Sequence, residues 1–305
     1  MDALGSRLAA AKTAAAVGPV LARGILRLRG KDRQKFVHRI CTQKVDGLAP
    51  GAAAHVAFLD AKGHVLADAT LVVRADDLLL DVEPRAAEAL RAHLSKYVVM
   101  DQVQVEDVSP AWRVVPAIGP AGVELARTRA PAGATTWENG RRGAPALDVL
   151  LEPEAAGELR SELISAGATP LGEDDLEVLR VLAGIPRFGS DFDASRLPME
   201  AALIRTAVSF EKGCYLGQEV VLRGTFRGQI QRGLVQLALP PGAGPGTPLV
   251  AGGQEVGSVT TALETPEGRI GLGYLRRAHW NEGERVSAGA GEAIVRRVLV
   301  QERDR

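Results

Sequence analysis

The chain has 305 residues, which exceeds the size that one hydrophobic core usually supports, so we expect two or three packed units. Lysine plus arginine and aspartate plus glutamate both number 37, which excludes a global electrostatic footprint for nucleic acid or an anionic membrane. The only cysteines, Cys41 and Cys214, exclude a disulfide framework and a cluster site made of cysteines from one chain alone.

The N-terminal part is predicted to form a mixed helix and strand unit. A strand over residues 24–28 precedes a short helix in which Phe36, Val37 and Ile40 share one face. A β-meander and a helix opened by Pro84 should follow. The predicted strands of this meander cover residues 55–59, 65–73 and 78–82.

The C-terminal part is predicted to form a helix followed by short strands. The clearest helix covers residues 173–183, with three acids in its first turn, Gly184 as its stop and Pro186 beyond. After Gly233 the pattern changes to short alternating segments, which predict an antiparallel β unit. These segments cover residues 234–239, 256–260, 269–274 and 293–300.

Residues 212–219 read Lys-Gly-Cys-Tyr-Leu-Gly-Gln-Glu and form the most informative motif. The ammonium of Lys212 would stabilise a thiolate at Cys214, and a helix over residues 218–223 would point free amides at the sulfur. Alternatively, Gly213 and Gly217 allow a tight turn with Cys214 tucked inside. The motif alone leaves both interpretations open.

This octapeptide resembles the signature of the YgfZ family, the folate-binding relatives of the glycine-cleavage aminomethyltransferase (T-protein). Weaker matches follow in the family's order over most of the chain. They are Gly30-Lys31-Asp32, Thr42 with Asp46, Asp60-Ala61-Lys62-Gly63 leading to Asp68, Arg180 with Gly184-Ile185-Pro186, Leu197-Pro198-Met199-Glu200, Arg223, Phe226-Arg227-Gly228 and Arg232-Gly233. The resemblance implies an α+β fold. It divides into an aminomethyltransferase-like folate-binding region of two mixed α/β subdomains over residues 1–232 and a C-terminal antiparallel β-barrel over residues 233–305.

The resemblance also implies a folate site at Asp68. In the aminomethyltransferases the matching acid meets the folate and is central to one-carbon transfer, so Asp68 is a candidate ligand and catalytic group for tetrahydrofolate or a derivative. A carboxylate suits a pterin because its two oxygens accept hydrogen bonds from adjacent N–H donors. The alternative is that Asp68 faces solvent on a half-buried strand.

Further folate-binding residues are expected in and around the motif. Arg180 and Arg223 could bind carboxylates through the planar guanidinium, although Arg180 also suits the last turns of its own helix. Tyr215 could stack on a folate ring or seal a domain contact. Gln218 and Glu219 would fix the turn or line the pocket.

The chain departs from its apparent relatives at several positions. The aminomethyltransferases carry a Gly-Tyr-Thr-Gly-Glu element whose glutamate faces the folate, and residues 142–148 supply no such acid. Some YgfZ proteins have tryptophans where this chain has Arg23 and Leu176. Trp137 is expected in a loop, as an exposed cap.

The resemblance implies a folate-binding accessory protein that supports iron–sulfur cluster assembly or repair and indirectly affects tRNA modification. Its partners would be iron–sulfur cluster proteins or assembly factors. Cys214 would be the redox-sensitive or cluster-contacting thiol, and Lys212 would keep it ionised. Two alternatives stay open: a tetrahydrofolate-dependent aminomethyltransferase or other one-carbon transferase, in which Asp68 orients the reacting nitrogen, and a folate-independent docking scaffold.

The sequence also predicts where the protein works. No apolar run reaches the roughly 20 residues that cross a bilayer, so no membrane contact is expected. Residues 1–23 are rich in alanine and weakly resemble a transit peptide, but their serine content is poor. We therefore expect a cytoplasmic protein that binds no resident metal and makes no direct nucleic-acid contact.

Overall fold

The computed structural model describes residues 3–226 and 230–300. In chain order, its helices are α1 (Ala3–Thr13), α2 (Arg33–Ile40), α3 (Pro84–Tyr97), α4 (Pro120–Arg129), α5 (Pro153–Ser165), α6 (Glu173–Ala183), α7 (Ile204–Ala207) and α8 (Gln218–Phe226). The strands up to the middle of the chain are β1 (Ala16–Val17), β2 (Gly24–Arg29), β3 (Ala53–Leu59), β4 (Val65–Val73), β5 (Asp77–Val82), β6 (Gln104–Asp107), β7 (Arg113–Ile118), β8 (Thr135–Glu138), β9 (Ala146–Leu151) and β10 (Thr169–Pro170). The remaining strands are β11 (Arg232–Ala238), β12 (Pro248–Ala251), β13 (Gln254–Thr265), β14 (Gly268–Arg276), β15 (Arg285–Ala288) and β16 (Gly291–Val298).

The first unit is an antiparallel sheet of order β3-β4-β5-β2-β6. The predicted face of α2 packs on it, and Phe36, Val37 and Ile40 are buried in its core with Leu90 of α3. The β3–β4 hairpin pairs Ala57 with Asp68, which fixes the register of the strand that carries the candidate acid. The predicted strand, helix and meander of this region are thus confirmed.

A second five-stranded sheet, of order β10-β1-β7-β9-β8, lies beside the first. Trp137 belongs to β8, where it pairs with Asp148 of β9, and it is only 3% exposed. Its ring packs with Ile25 and Leu79 of the first sheet. The prediction of an exposed cap in a loop was therefore wrong, since this tryptophan fills the junction between the two sheets.

The C-terminal strands close into a six-stranded antiparallel barrel of order β11-β14-β13-β12-β15-β16. Leu234, Val235 and Leu237 of β11 are buried in its core with Leu272 and Val295. The barrel thus confirms the predicted antiparallel β unit and the α+β fold class. Its first strand begins at Arg232, while the division of the chain at residue 232 stays a prediction.

Helix α6 joins the barrel to the second unit. Val181 is buried in the barrel core, whereas Val178 and Leu179 pack with α1 and the second sheet. Gly184 ends the helix in the left-handed conformation at φ 72°, which confirms the predicted stop. The end of α6 is thereby fixed where all three β units meet. In the described part of the chain, no helix is long and apolar enough to cross a membrane.

Candidate functional site

A cavity of about 340 Å³ lies between the two sheets and α6, and we call it the Asp68 cavity. It is lined by Leu21, Ala22, Arg23, Asp68, Ala69, Thr70, Asp81, Glu83, Pro84, Asn139, Arg141, Arg142, Glu173, Leu176, Glu177, Arg180, Ile185, Pro186, Arg187 and Phe188. Asp68 reaches it from β4 and is 7% exposed. The interpretation of Asp68 as a solvent-facing residue is therefore wrong.

Two groups hold the carboxylate of Asp68, and both contact the same oxygen. The Nε2 atom of His55 lies 3.0 Å from Oδ2, and the guanidinium of Arg141 lies 2.8 Å from it. Burial by itself would raise the pKa of Asp68, but Arg141 and the hydrogen bond to His55 outweigh it and hold the pKa below its ordinary value. Asp68 is thus an ionised acceptor at neutral pH.

His55 belongs to β3 and links Asp68 to α7. Burial, reinforced by the charge of Arg141, lowers the pKa of His55 to about 4, so its ring is neutral at neutral pH. Its Nδ1 atom lies 2.9 Å from Oγ1 of Thr206. Because a hydroxyl can donate to Nδ1, the Nε2–H is left to donate to Asp68. The chain Thr206–His55–Asp68 thereby fixes both the ring and the carboxylate.

Sequence reasoning missed His55, Thr206 and Arg141. The hairpin offered a signal for the first of them, because His55 stands directly opposite Thr70 in the β3–β4 register and Asp68 is the diagonal neighbour. No comparable signal marks Arg141, whose guanidinium also donates to the carbonyl oxygen of Pro186 at 2.8 Å. That contact depends on the docking of segments 45 residues apart in the chain.

The free side of Asp68 suits a pterin. Within the described residues no hydrogen bond reaches its Oδ1 atom, which leaves this oxygen for a donor on a ligand. A pterin needs such an acceptor for its N–H groups and an apolar surface for its ring. Leu21, Leu176 and Phe188 supply apolar surface in the same cavity. The residues present therefore fit the ring system of a folate.

The predicted ligand Arg180 does line the Asp68 cavity, but its donors are occupied. Its guanidinium binds Glu177, and one nitrogen lies 2.6 Å from Oδ2 of Asp191 and 2.6 Å from the carbonyl oxygen of Ile185. Although burial opposes the charge, these two carboxylates raise the pKa of Arg180. A folate carboxylate could bind Arg180 only by replacing one of them.

Other arginines of the cavity are paired in the same way. Arg23 bridges Asp81, at 2.7 Å, and Glu83. Arg142 lies 2.8 Å from the fully buried Asp148. The position that sequence analysis flagged for its missing aromatic ring, Arg23, therefore forms an ion-pair network across the cavity wall.

The signature motif lies elsewhere. Its cysteine, Cys214, is exposed, so the interpretation that it is tucked inside a tight turn is wrong. The ammonium of Lys212 donates to the carbonyl oxygens of His38, Cys41 and Gln43, at 2.7 Å for Cys41 and 3.1 Å for Gln43. Lys212 thus anchors the loop to the end of α2, a role that sequence analysis did not foresee. Its effect on the ionisation of Cys214 stays a prediction.

The other motif residues flank this anchored loop. Tyr215 is 7% exposed, and its burial raises the pKa of the phenol to about 12. Gln218 starts the predicted helix, which is confirmed as α8. On its outer face Glu219 and Arg223 pair with each other at 2.6 Å, both largely exposed.

The structure therefore separates residues that were predicted to share one folate site. The lining of the Asp68 cavity contains none of Tyr215, Gln218, Glu219 and Arg223. The motif touches the strand of Asp68 only indirectly, through the turn of the β3–β4 hairpin. Gly217 of the motif packs so closely on this turn that a Cβ atom there would lie 2.7 Å from the carbonyl oxygen of Asp60. The residues Arg227 and Gly228 of the same resemblance lie outside the described part of the chain.

Two segments of the chain match known domain families. Residues 2–138 match the GCVT N-terminal domain, and residues 229–299 match the CAF17 C-terminal beta-barrel domain. The chain is 30% identical over 288 residues to the mitochondrial iron-sulfur cluster assembly factor IBA57 of Homo sapiens, covering 85% of this chain and 76% of the human protein. It is 27% identical to the aminomethyltransferase of Rubrobacter xylanophilus, covering 87% and 77% of the two chains.

The chain is also similar to a plant protein and to a solved structure. A putative chloroplastic transferase of Arabidopsis thaliana is 25% identical over 87% of this chain, which spans just under two thirds (66%) of that relative's length. The crystal structure of the glycine cleavage system aminomethyltransferase T from Bartonella henselae has a TM-score of 0.85 and 20% identity, covering 98% of this chain and 90% of that one. This likeness shows a shared fold. The 30% identity to the human factor shows that the chain belongs to the family of the iron-sulfur cluster assembly factor IBA57, and the structural likeness shows an aminomethyltransferase-like fold.

Proposed function

We propose that this protein is an iron–sulfur cluster assembly factor that presents Cys214 to a cluster on a partner protein and binds tetrahydrofolate in the Asp68 cavity. The observation that carries the proposal is the exposure of Cys214 on a firmly anchored loop. The similarity to factors named for cluster assembly points to the same role. The proposal also includes that the protein is of the YgfZ type and that it affects tRNA modification indirectly, through cluster-dependent enzymes.

The anchoring of the loop explains how one thiol can be offered to a partner. Lys212 is bound to three carbonyl oxygens on one side of Cys214, and Tyr215 is buried on the other. The backbone at Cys214 is thereby restrained while its side chain faces outward. Such a thiol reaches a partner without rearrangement of the loop, which lowers the entropic cost of binding.

The number of cysteines implies that the cluster is shared. An iron–sulfur cluster is usually held by about four thiolates, and this chain offers Cys214 while its other cysteine, Cys41, is fully buried. The remaining ligands must come from the partner. We therefore expect the partner to be an iron–sulfur carrier or assembly protein with cysteines of its own.

The proposed folate site rests on the carboxylate of Asp68. Its Oδ2 atom is fixed by His55 and Arg141, and its Oδ1 atom is left to accept a hydrogen bond from the ring. A bound tetrahydrofolate would supply a one-carbon carrier. This chain would contribute its binding and orientation through Asp68 and the apolar wall with Leu176 and Phe188.

The thiol role is tested in cells that lack the protein by expressing Cys214→Ser and measuring a cluster-dependent enzyme and thiolated tRNA. We expect this variant to fail, while the matched Cys41→Ser variant restores activity, provided that both accumulate to the wild-type level. Full rescue by Cys214→Ser would eliminate the thiol role. Anaerobic calorimetry with tetrahydrofolate tests the cavity separately, and Asp68→Asn should abolish saturable binding.

A second candidate function is one-carbon transfer to or from tetrahydrofolate. The retained, buried carboxylate of Asp68 and the aminomethyltransferase-like fold favour it. Its test is transfer of the methylene carbon of an S-aminomethyl thiol donor to tetrahydrofolate, which gives methylenetetrahydrofolate, ammonia and the free thiol without any oxidant, with Asp68→Asn as the inactive control. Folate binding without any transfer would leave the assembly role alone.

The cellular location also remains part of the proposal. The names of the human and Arabidopsis relatives give mitochondrial and chloroplastic locations, whereas we predicted a cytoplasmic one. Fractionation of cells that express the native protein decides between these compartments.

A further inference from the structure

A second cavity, of about 510 Å³, opens on the other side of the Thr206–His55–Asp68 chain, and we call it the arginine chamber. Its lining includes His55, Arg141, Gly184, Arg205, Thr206 and Arg297. Its volume lies within the range of about 300–1,000 Å³ that is typical of small-molecule sites. Asp68 lines only the first cavity and His55 only the second, so the pair forms part of the wall between them.

The charged groups of this chamber are unbalanced. Its lining contains Arg141, Arg205 and Arg297 but a single carboxylate, Glu138. That carboxylate already binds Arg127, outside the chamber, at 2.7 Å. Among the described residues the side chain of Arg205 makes no hydrogen bond or ion pair. Because Asp68 already balances Arg141 from the other side of the wall, the positive charge left for an anion to neutralise is that of Arg205 and Arg297.

Two of the three guanidinium groups are held in place by backbone oxygens. Arg297, from the barrel strand β16, donates to the carbonyl oxygen of Ala183 and lies over Gly184, where the Cβ of any other residue would collide with it. Arg141 donates to Pro186. Because these groups are already positioned, an anion pays little of the usual cost of ordering flexible side chains.

The backbone at the wall of the chamber is strained. Ala202 has φ 57°, and among the described residues no other non-glycine residue has a positive φ. This conformation is unfavourable for a residue with a Cβ atom, and such strain is typical of binding sites. Ala202 directly precedes the turn into α7, which carries Arg205 and Thr206 into the lining. The strain is thus located where it positions the unpaired arginine.

We propose that the arginine chamber binds a small organic anion that carries two or more negative charges from phosphate or carboxylate groups. Guanidinium groups bind both kinds of anion through paired, charge-assisted hydrogen bonds. The apolar side chains of Ile185, Val298 and Leu299 in the same lining favour an anion with a carbon skeleton. This site does not depend on folate binding in the Asp68 cavity.

The proposal is tested by calorimetric titration of the whole protein at a fixed, moderate salt concentration, with inorganic pyrophosphate and a triglutamate peptide as probes. We expect saturable binding of at least one probe, and the probe that binds identifies the source of the charge. Arg205→Gln should weaken binding roughly tenfold, because it removes a charge-assisted contact. Arg205 is exposed and unpaired, so its replacement should leave folding intact.

Matched variants separate this site from general charge effects and from the folate site. Arg285→Gln removes an exposed arginine of the barrel that pairs with Glu292, and it should leave probe binding unchanged. Asp68→Asn removes a competing negative charge, so it should bind the probe at least as tightly as the wild type. The proposal would be overturned if neither probe bound saturably to the wild type. It would also be overturned by equal binding by an Arg205→Gln, Arg297→Gln double variant whose circular dichroism matches the wild type.

Discussion

Replacing Arg141 with methionine should destabilise the protein by leaving a buried carboxylate without its counter-charge. In the wild type the side chains of Asp68 and Arg141 are 7% and 22% exposed, with 2.8 Å between the carboxylate and the guanidinium. Breaking a buried ion pair by removing one partner costs about 3–5 kcal/mol. Because Arg141 is partly exposed, we expect the lower end, about 3 kcal/mol in the free energy of unfolding at neutral pH.

The pH dependence of this loss of stability tests whether the unpaired carboxylate of Asp68 causes it. The folded-state pKa of Asp68 is below its ordinary value of 3.8, so the stability that this pair contributes is fully present above pH 3.8 and is lost as the pH falls through the folded-state pKa. In the variant, burial without Arg141 raises the pKa of Asp68. The difference between the wild type and the variant should therefore shrink on acidification.

Urea unfolding monitored by tryptophan fluorescence measures the effect, since Trp137 packs at the junction between the two sheets. The matched variants are Asp68→Asn and the double variant Asp68→Asn, Arg141→Met, in which no buried charge is left unpaired. We expect the double variant to lose clearly less stability than the sum of the two single variants. If the two losses add within about 0.5 kcal/mol, the ion pair is not the source of the stability.

Three further predictions concern single contacts. Lys212→Met removes three hydrogen bonds to carbonyl oxygens, so hydrogen exchange at the end of α2 and in the signature loop should accelerate, while Lys212→Arg should retain part of the protection. Gly184→Ala should cost more than about 1 kcal/mol, because the strain of a Cβ atom at φ 72° is joined by displacement of the Arg297 guanidinium from its hydrogen bond with Ala183. Gly133→Ala, at φ 83° with open space around it, isolates the cost of the backbone alone, and equal losses in thermal unfolding would contradict the contribution of Arg297. His55→Gln should flatten the loss of stability between pH 6.5 and 4, because the folded-state pKa of about 4 favours the neutral ring and acid must charge it; an unchanged acid limb in pH-dependent unfolding would count against this role.

The sequence by itself determined the elements whose signals are local. Acids in the first turn and Gly184 at the end predicted α6 because caps and charges act within one helical turn. The alternation of apolar and polar residues after Gly233 is also a local signal, and it predicted strands of the barrel. The motif at residues 212–219 identified the exposed Cys214 because its residues are adjacent in the chain.

Only the tertiary structure decided which side chains meet. Lys212 binds carbonyl oxygens of residues 169 to 174 positions earlier in the chain, and Arg141 contacts Asp68 across the junction of the two sheets. Such contacts depend on how whole sheets dock, and the local pattern around each residue is the same whether or not they form. For this reason the sequence placed Asp68 and the motif residues Tyr215, Gln218, Glu219 and Arg223 in one site, whereas packing separates them and brings His55 and Arg141 to Asp68 instead.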